Sequence, residues 1–222
     1  MVISKNIAYR KAIAHTPSFD LGALRTLVGL GIANQGGQLR VLDFGGGGGY
    51  HYALAKQLMA KNDLRWNIVE TEAMAAEAAR IATDELKFFN DINAARADLK
   101  NVDITFTSGA LQYCSSPLRY LSDLIDVGAK YLYITRTALN NGPSNIVIVQ
   151  ESNLSDNGPG ALPEGFTDRK VSYPATFISQ SEFERVIKTR YEIRFIVTED
   201  RDVHLAGSTP IHLYGYFCEL RA

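Results

Sequence analysis

The sequence predicts an α/β fold built on a mainly parallel sheet, and three observations carry that prediction. Short apolar runs of strand length alternate with stretches of helical apolar spacing between about residues 39 and 135. The first run, residues 39–44, passes through five consecutive glycines, Gly45 to Gly49, straight into a helical pattern. Two of the runs carry a carboxylate at or near their end, Asp43 in the first and Glu70 in the second. Strands separated by helices must cross over to pair in parallel, and such crossovers are right-handed, which fixes most of the topology.

The totals suit one domain over residues 1–222, long enough for a substantial core. Apolar residues at 46% and charged residues at 21% are ordinary for a globular chain and argue against disorder. A net charge of -1 without a run of Lys or Arg gives no electrostatic reason to expect a nucleic-acid partner. Cys114 and Cys218 each lie in an apolar stretch and read as buried free thiols. His15, His51, His204 and His212 are scattered, so no metal site is expected. The first fifteen residues lack a signal-peptide core, and no apolar run approaches the ~20 residues of a membrane span, so a cytoplasmic protein is expected.

Taken in order, residues 1–38 read as a helical segment with Leu21, Leu24, Leu27, Val28 and Ile32 at helical spacing, stopped by Gly36 and Gly37. After the strand at 39–44 and the glycines, Tyr50, Leu54 and Leu58 recur four apart in a helix reaching about residue 61. A strand at 66–70 follows, then a helix marked by Met74, Ala78, Ile81 and Leu86, with a weak strand at 86–89 closed by Asn90 and Asp91. A fourth strand covers 102–107. Ser116 and Pro117 open a helix that runs to Val127, with Ser116 as a cap and Pro117 in the first turn. Gly128 ends it, and 130–135 is a fifth strand. Residues 146–149 are a further strand candidate, and 152–169 form a polar loop that either covers a substrate or is disordered. Ser179 and Glu182 match a capping box for a helix that buries Phe183, Val186 and Ile187. Alternation at Tyr191, Ile193, Phe195 and Val197, then an apolar run at 211–220, gives an antiparallel C-terminal hairpin at one sheet edge.

A strand that leads through glycines into a helix offers a ligand backbone N–H groups and close approach. The dinucleotide fingerprint fails here, because Tyr50, His51 or Tyr52 stands wherever its third glycine is needed. A P-loop fails as well, since no Lys-Ser or Lys-Thr follows the glycines. What fits is an acid two residues before the first of three alternate glycines, Asp43, Gly45, Gly47 and Gly49. A carboxylate there suits a cationic ligand and is awkward for a pyrophosphate. Glu70 is placed to accept hydrogen bonds from ribose hydroxyls.

These residues resemble the class I S-adenosylmethionine-dependent methyltransferases. The resemblance implies a Rossmann-like sheet of seven strands, mostly parallel, with helices on both faces and the last strand antiparallel. A narrower likeness is to a group of poorly characterised bacterial methyltransferase-like proteins sharing LDFGGG (Leu42 to Gly47), Val69 with Glu70, Leu111 to Tyr113, Arg136 with Thr137, and Ser172 to Pro174. Carried over by position, Asp43, Gly45, Gly46 and Gly47 would face the methionine part of S-adenosylmethionine, and Glu70 the ribose. Asn90 or Asp91 would meet the adenine, and Ser108 and Gly109 would line the space beside it. The Asn-Pro-Pro-Tyr signature of many enzymes that methylate amino groups of nucleic acids and proteins is missing, which makes such acceptors less expected.

Methyl transfer from a sulfonium is an in-line displacement, so positioning supplies much of the rate, and an oxygen or nitrogen acceptor can also need a base. His51 and Tyr113 are the catalytic candidates; a tyrosine serves only with its pKa lowered. Arg136 could clamp an acidic group of the substrate or sit in a surface ion pair. Gln150 and Tyr173 are further substrate-pocket candidates. The expected activity is methyl transfer to a small-molecule or carbohydrate-like acceptor, with oxygen preferred. A nicotinamide-dependent oxidoreductase and a non-catalytic nucleoside-binding domain are the competing readings.

Overall fold

A computed structural model describes residues 1–13, 21–34, 36–59, 63–199 and 204–222. His15 lies outside the described residues, as does the side chain of His204. The chain forms two units, residues 1–103 with 151–171, and residues 104–150 with 172–222.

The first unit opens with α1 (Val2–Ile13) and α2 (Leu21–Ala33). Then come β1 (Gln38–Phe44), α3 (Tyr50–Leu58), β2 (Asp63–Val69), α4 (Glu72–Ala78), β3 (Leu86–Phe89) and α5 (Ile92–Leu99). The strands lie in the order β3-β2-β1, all parallel, with Val41 opposite Trp66 and Trp66 opposite Leu86. Leu39, Val41, Leu42, Leu64, Trp66, Ile68 and Leu86 have no exposed surface, the near-continuous apolar run of strands covered on both faces.

Sequence and structure differ at three places in this unit. In α2, Leu27 is buried, but Leu21, Leu24, Val28 and Ile32 face outward, while Ala23, Thr26, Leu30 and Ala33 turn inward. The helix is apolar all round, so spacing alone does not say which side packs. Leu86 opens β3 rather than closing the preceding helix, which ends in a 3₁₀ turn, Ala79–Ile81. Helix α5 has no counterpart in the sequence reading, because only Ala95 and Leu99 mark its inner face. Asp91 caps it by accepting from the Ala94 N–H at 2.8 Å.

The second unit holds β4 (Ile104–Ser108), α6 (Pro117–Asp126), β5 (Tyr131–Asn140), most of β6 (Ile146–Asn153) and β7 (Lys170–Ser179), α7 (Gln180–Ile187), β8 (Tyr191–Thr198), β9 (His204–Ala206) and β10 (Thr209–Leu220). Its order is β4-β5-β10-β8; β4 and β5 are parallel, and β10 runs antiparallel to both neighbours. The expected C-terminal hairpin is present, with β9 inserted and β10 on the inner side. Ten strands stand among the described residues where seven were expected. Two of them, β7 and β9, went unread: Pro174 makes the first look like loop, and the second is three residues long.

Neither serine cap forms. Ser116 and Ser179 occupy the caps of α6 and α7 without a side-chain bond to the helix backbone, and the Ser179 hydroxyl instead donates to the Gly142 carbonyl at 2.7 Å. The buried face of α7 is Phe183, Val186 and Ile187, as predicted. The free thiols differ. Cys218 is buried, and desolvation pushes its pKa up to about 12, whereas Cys114 is partly exposed. No described helix is long and apolar enough to cross a membrane.

Candidate functional site

In the first unit the glycine segment makes a tight turn between β1 and α3. Gly45 donates to the Val69 carbonyl at 2.9 Å, which fixes the start of the turn over the end of β2. Gly49 takes a left-handed φ of 84° at the cap of α3, a conformation that other residues adopt only under strain. A Cβ on Gly46 would stand 2.4 Å from Oδ2 of Asp43, so the backbone can lie on that carboxylate only because the side chain is missing.

Asp43 itself is fully buried in β1. Its Oδ2 accepts from the Trp66 indole N–H at 3.0 Å, while Oδ1 has no partner among the described residues. Desolvation pushes its pKa up to about 7, the indole hydrogen bond opposes the rise, and the charge of Glu70 adds to it. A buried carboxylate oxygen without a donor is costly, and a ligand that brings a cationic donor removes the cost.

Glu70 follows β2 and faces the same turn. Its Oε1 accepts from the Gly47 N–H at 2.9 Å and its Oε2 from the Thr71 N–H at 3.2 Å. Burial raises its pKa, and these two backbone donors oppose the rise. A carboxylate has capacity for further donors, so ribose hydroxyls remain compatible with this geometry. Asn90 is exposed after β3, and Asp91 is committed to capping α5. His51 sits in the first turn of α3, half-buried, with its ring edge-on to Tyr50 at 5.0 Å.

Two residues that the sequence reading passed over also meet this turn. Asn6 of α1 is buried, and a Cβ on Gly48 would come within 2.6 Å of its own Cβ. Lys5 is buried beside it and donates to the carbonyls of Ser155 and Asn157 at 2.7 and 3.0 Å. The expected loop at 152–169 is therefore tied to α1 at its start, after β6 has run on to Asn153. No sequence motif marks either residue.

The second unit gathers the other predicted residues. Ser108 ends β4 with its hydroxyl buried and without a partner among the described residues. Gly109 follows with a φ of 64° and donates to the Thr135 carbonyl at 2.9 Å. Arg136 is exposed and, unusually for a residue with a side chain, has a φ of 55°. It belongs to a bulge, since Ile134 and Thr137 of β5 pair with Tyr216 and Tyr214 of β10, leaving two residues opposite Gly215.

Glu199 holds that bulge, its Oε1 accepting from the Arg136 N–H at 2.8 Å. A Cβ on Gly215 would stand 2.7 Å from the same oxygen. The Arg136 guanidinium passes over Gly109, within 3.6 Å of where its Cβ would be, and the Arg136 carbonyl accepts from Gln112 at 3.1 Å. Tyr113 packs edge-on against Tyr173 with ring centroids 5.5 Å apart, and its hydroxyl lies 3.4 Å from Oε1 of Gln150. Tyr113, Gln150 and Tyr173 thus form one cluster. Gln112 falls in the Leu111 to Tyr113 stretch, so a signal for it existed; for Glu199 there was none.

The polar groups around the turn are two accepting carboxylates and an amide, with no Lys or Arg among the described residues hydrogen-bonded to the glycines. It suits an ammonium-bearing ligand better than a pyrophosphate, and it is chemically matched to the amino acid end of S-adenosylmethionine.

No protein-family model matches the sequence, and no curated protein matches it. Solved structures do match in fold. One is an S-adenosylmethionine-dependent methyltransferase from Clostridium acetobutylicum, with a TM-score of 0.56 at 11% identity over 97% of each chain. The 1,6-didemethyltoxoflavin-N1-methyltransferase of Burkholderia thailandensis, solved with bound 1,6-didemethyltoxoflavin and S-adenosylhomocysteine, gives 0.53 at 11% identity over 99% of this chain and 87% of its own. The glycopeptide N-methyltransferase MtfA, solved with S-adenosylmethionine, gives 0.51 at 9% identity over 93% of this chain and 99% of its own. The chain has the α/β fold of the S-adenosylmethionine-dependent methyltransferases.

Proposed function

We propose that this protein transfers a methyl group from S-adenosylmethionine to a small-molecule or carbohydrate-like acceptor, with oxygen as the first acceptor atom to test. The observation that carries the reading is the glycine turn laid over a buried Asp43 with one oxygen unpartnered among the described residues. The cofactor would supply the activated methyl group as a sulfonium. Asp43 would hold its ammonium, Gly45, Gly46 and Gly47 would allow close approach of the backbone, and Glu70 would accept from the ribose. Asn90 is the better of the two adenine candidates, because Asp91 is occupied as a helix cap. Ser108 and Gly109 complete the assignment.

Arg136, Gln150 and Tyr173 are proposed as acceptor contacts. The exposed Arg136 side chain on a bulge whose backbone N–H and carbonyl are both engaged supports this reading, since a guanidinium suits an acidic group on a substrate. Of the two base candidates, Tyr113 is supported over His51 by its place beside Gln150 and Tyr173. The narrower likeness to the LDFGGG group is part of this reading.

Calorimetry with S-adenosylmethionine, S-adenosylhomocysteine and NADH, on wild type and Asp43→Ala, tests it. Micromolar binding of the sulfur nucleosides that the substitution abolishes supports the proposal. Binding of NADH alone by folded protein favours the oxidoreductase reading. Binding of S-adenosylmethionine without S-adenosylhomocysteine release across an acceptor screen favours a non-catalytic binding domain.

A further inference from the structure

The glycine turn is gripped from two sides. Asp43 lies under Gly46, and Asn6 of α1 lies on Gly48 and against Gly47, where a Cβ would meet the Asn6 amide nitrogen at 3.6 Å. Asn6 is 2% exposed, and its Nδ2 donates to the Val2 carbonyl at 3.0 Å. That bond fixes the orientation of the amide and leaves Oδ1 as the atom facing elsewhere. Oδ1 is buried and has no partner among the described residues. Two acceptor oxygens are therefore desolvated without a donor among the described residues to satisfy them, Oδ1 of Asp43 beneath Gly46 and Oδ1 of Asn6, whose Cβ and amide nitrogen lie against Gly48.

The placement of α1 is not incidental. Lys5, 1% exposed, puts its ammonium on the carbonyls of Ser155 and Asn157. Ser155 is held in turn by Asp168, which accepts from its N–H at 2.9 Å and its hydroxyl at 2.7 Å. Val2 packs where a Cβ on Gly158 would come within 3.4 Å. An ammonium is buried only where its donors are used, so this cluster locks α1 to residues 155–158 and thereby sets Asn6 on the turn.

We propose that Asn6 binds the cofactor, its Oδ1 accepting a hydrogen bond from the ammonium of the amino acid end, and that Lys5 is the positioning residue that holds it there. The proposal rests on the methyltransferase reading above and adds a contact from outside the glycine motif. It makes α1 part of the binding site, so the helix orders around ligands that carry the amino acid end and is indifferent to those that lack it.

The test compares S-adenosylhomocysteine with 5′-methylthioadenosine, which keeps the nucleoside and the sulfur but has no amino acid end. With Asn6→Ala, S-adenosylhomocysteine is expected to bind about 10- to 100-fold more weakly, the range for losing a hydrogen bond to a charged group, while 5′-methylthioadenosine changes by no more than about twofold. Equal losses for both ligands would make Asn6 a packing residue and overturn the proposal, as would no loss for either. Hydrogen exchange on wild type answers without any variant: S-adenosylhomocysteine should protect residues 2–8 and 154–157, and 5′-methylthioadenosine should not. Equal protection by the two refutes it. Failure of folded wild type to bind S-adenosylhomocysteine at all would instead remove the methyltransferase reading itself, a result distinct from the others.

Discussion

Replacing Asp43 with asparagine should change the pH dependence of stability by an amount that can be worked out from the structure. The ordinary carboxyl value is 3.8, and burial takes Asp43 to about 7 in the folded protein. Below the first value both folded and unfolded chains are protonated, and the group has no effect. Between the two values the folded chain holds a proton that the unfolded chain has released, so stability falls as pH rises. Above the second value the full loss is present, roughly 4 kcal/mol for a shift of this size. Between about pH 5.5 and 7.5 the fall attributable to Asp43 is about 2 kcal/mol. The substituted amide would keep an oxygen for the Trp66 indole and has no charge to desolvate. Urea unfolding of both proteins at the two pH values gives the comparison, with the slope m checked for constancy. The wild type should lose about 2 kcal/mol more than Asp43→Asn across that interval. Parallel losses in the two proteins would mean that Asp43 titrates normally, and the account of a carboxylate awaiting a cation would fail.

Three further outcomes follow from the same geometry. Trp66→Phe removes the indole hydrogen bond that holds the Asp43 pKa down, so the pH midpoint for S-adenosylhomocysteine binding should move upward, as calorimetry across pH would read. Asp91→Ala should cost about 1 kcal/mol of stability through the lost cap of α5 and leave nucleoside affinity within about twofold, whereas Asn90→Ala should do the reverse; denaturation and calorimetry on the pair separate them. Arg136→Gly should raise stability by about 1 kcal/mol, because glycine accepts a positive φ without strain, while activity on an acidic acceptor falls at least about tenfold; a thermal melt and steady-state kinetics on one preparation check both.

Much of this fold was legible in the sequence because its signals are local. A parallel strand buried on both faces reads as a near-continuous apolar run, as β1 and β2 did, and β4 showed itself through Ile104 and Phe106 between buried threonines. The glycines and Asp43 were equally plain, since a tight turn over a carboxylate excludes side chains at known positions. What escaped notice depends on partners far along the chain. Helix α5 is short and Ala-rich, and Asn67 of β2 helps to hold it by donating to the Ala95 carbonyl. Strand β7 contains a proline and pairs with β6 and with the end of β5. Neither expected serine cap formed, and the Ser179 hydroxyl went instead to a carbonyl 37 residues away. Spacing could not choose between the two apolar faces of α2. Lys5, Asn6 and Glu199 belong to no motif, and only their burial and their contacts in the fold identify them.

The Lys5 bonds join residues 150 and 152 positions apart. During synthesis, then, the helix that grips the glycine turn emerges first but is fastened late. Every strand of the first unit's parallel sheet is already made when residues 155 and 157 leave the ribosome. Between the two lies a stage at which the glycine turn and α1 are both made, with Tyr9 against Tyr50 and Arg10 over Tyr52 to hold them together, but the Lys5 bonds cannot yet form. Domains acquire structure as they emerge, so α1 can meet the turn before the Lys5 clamp exists.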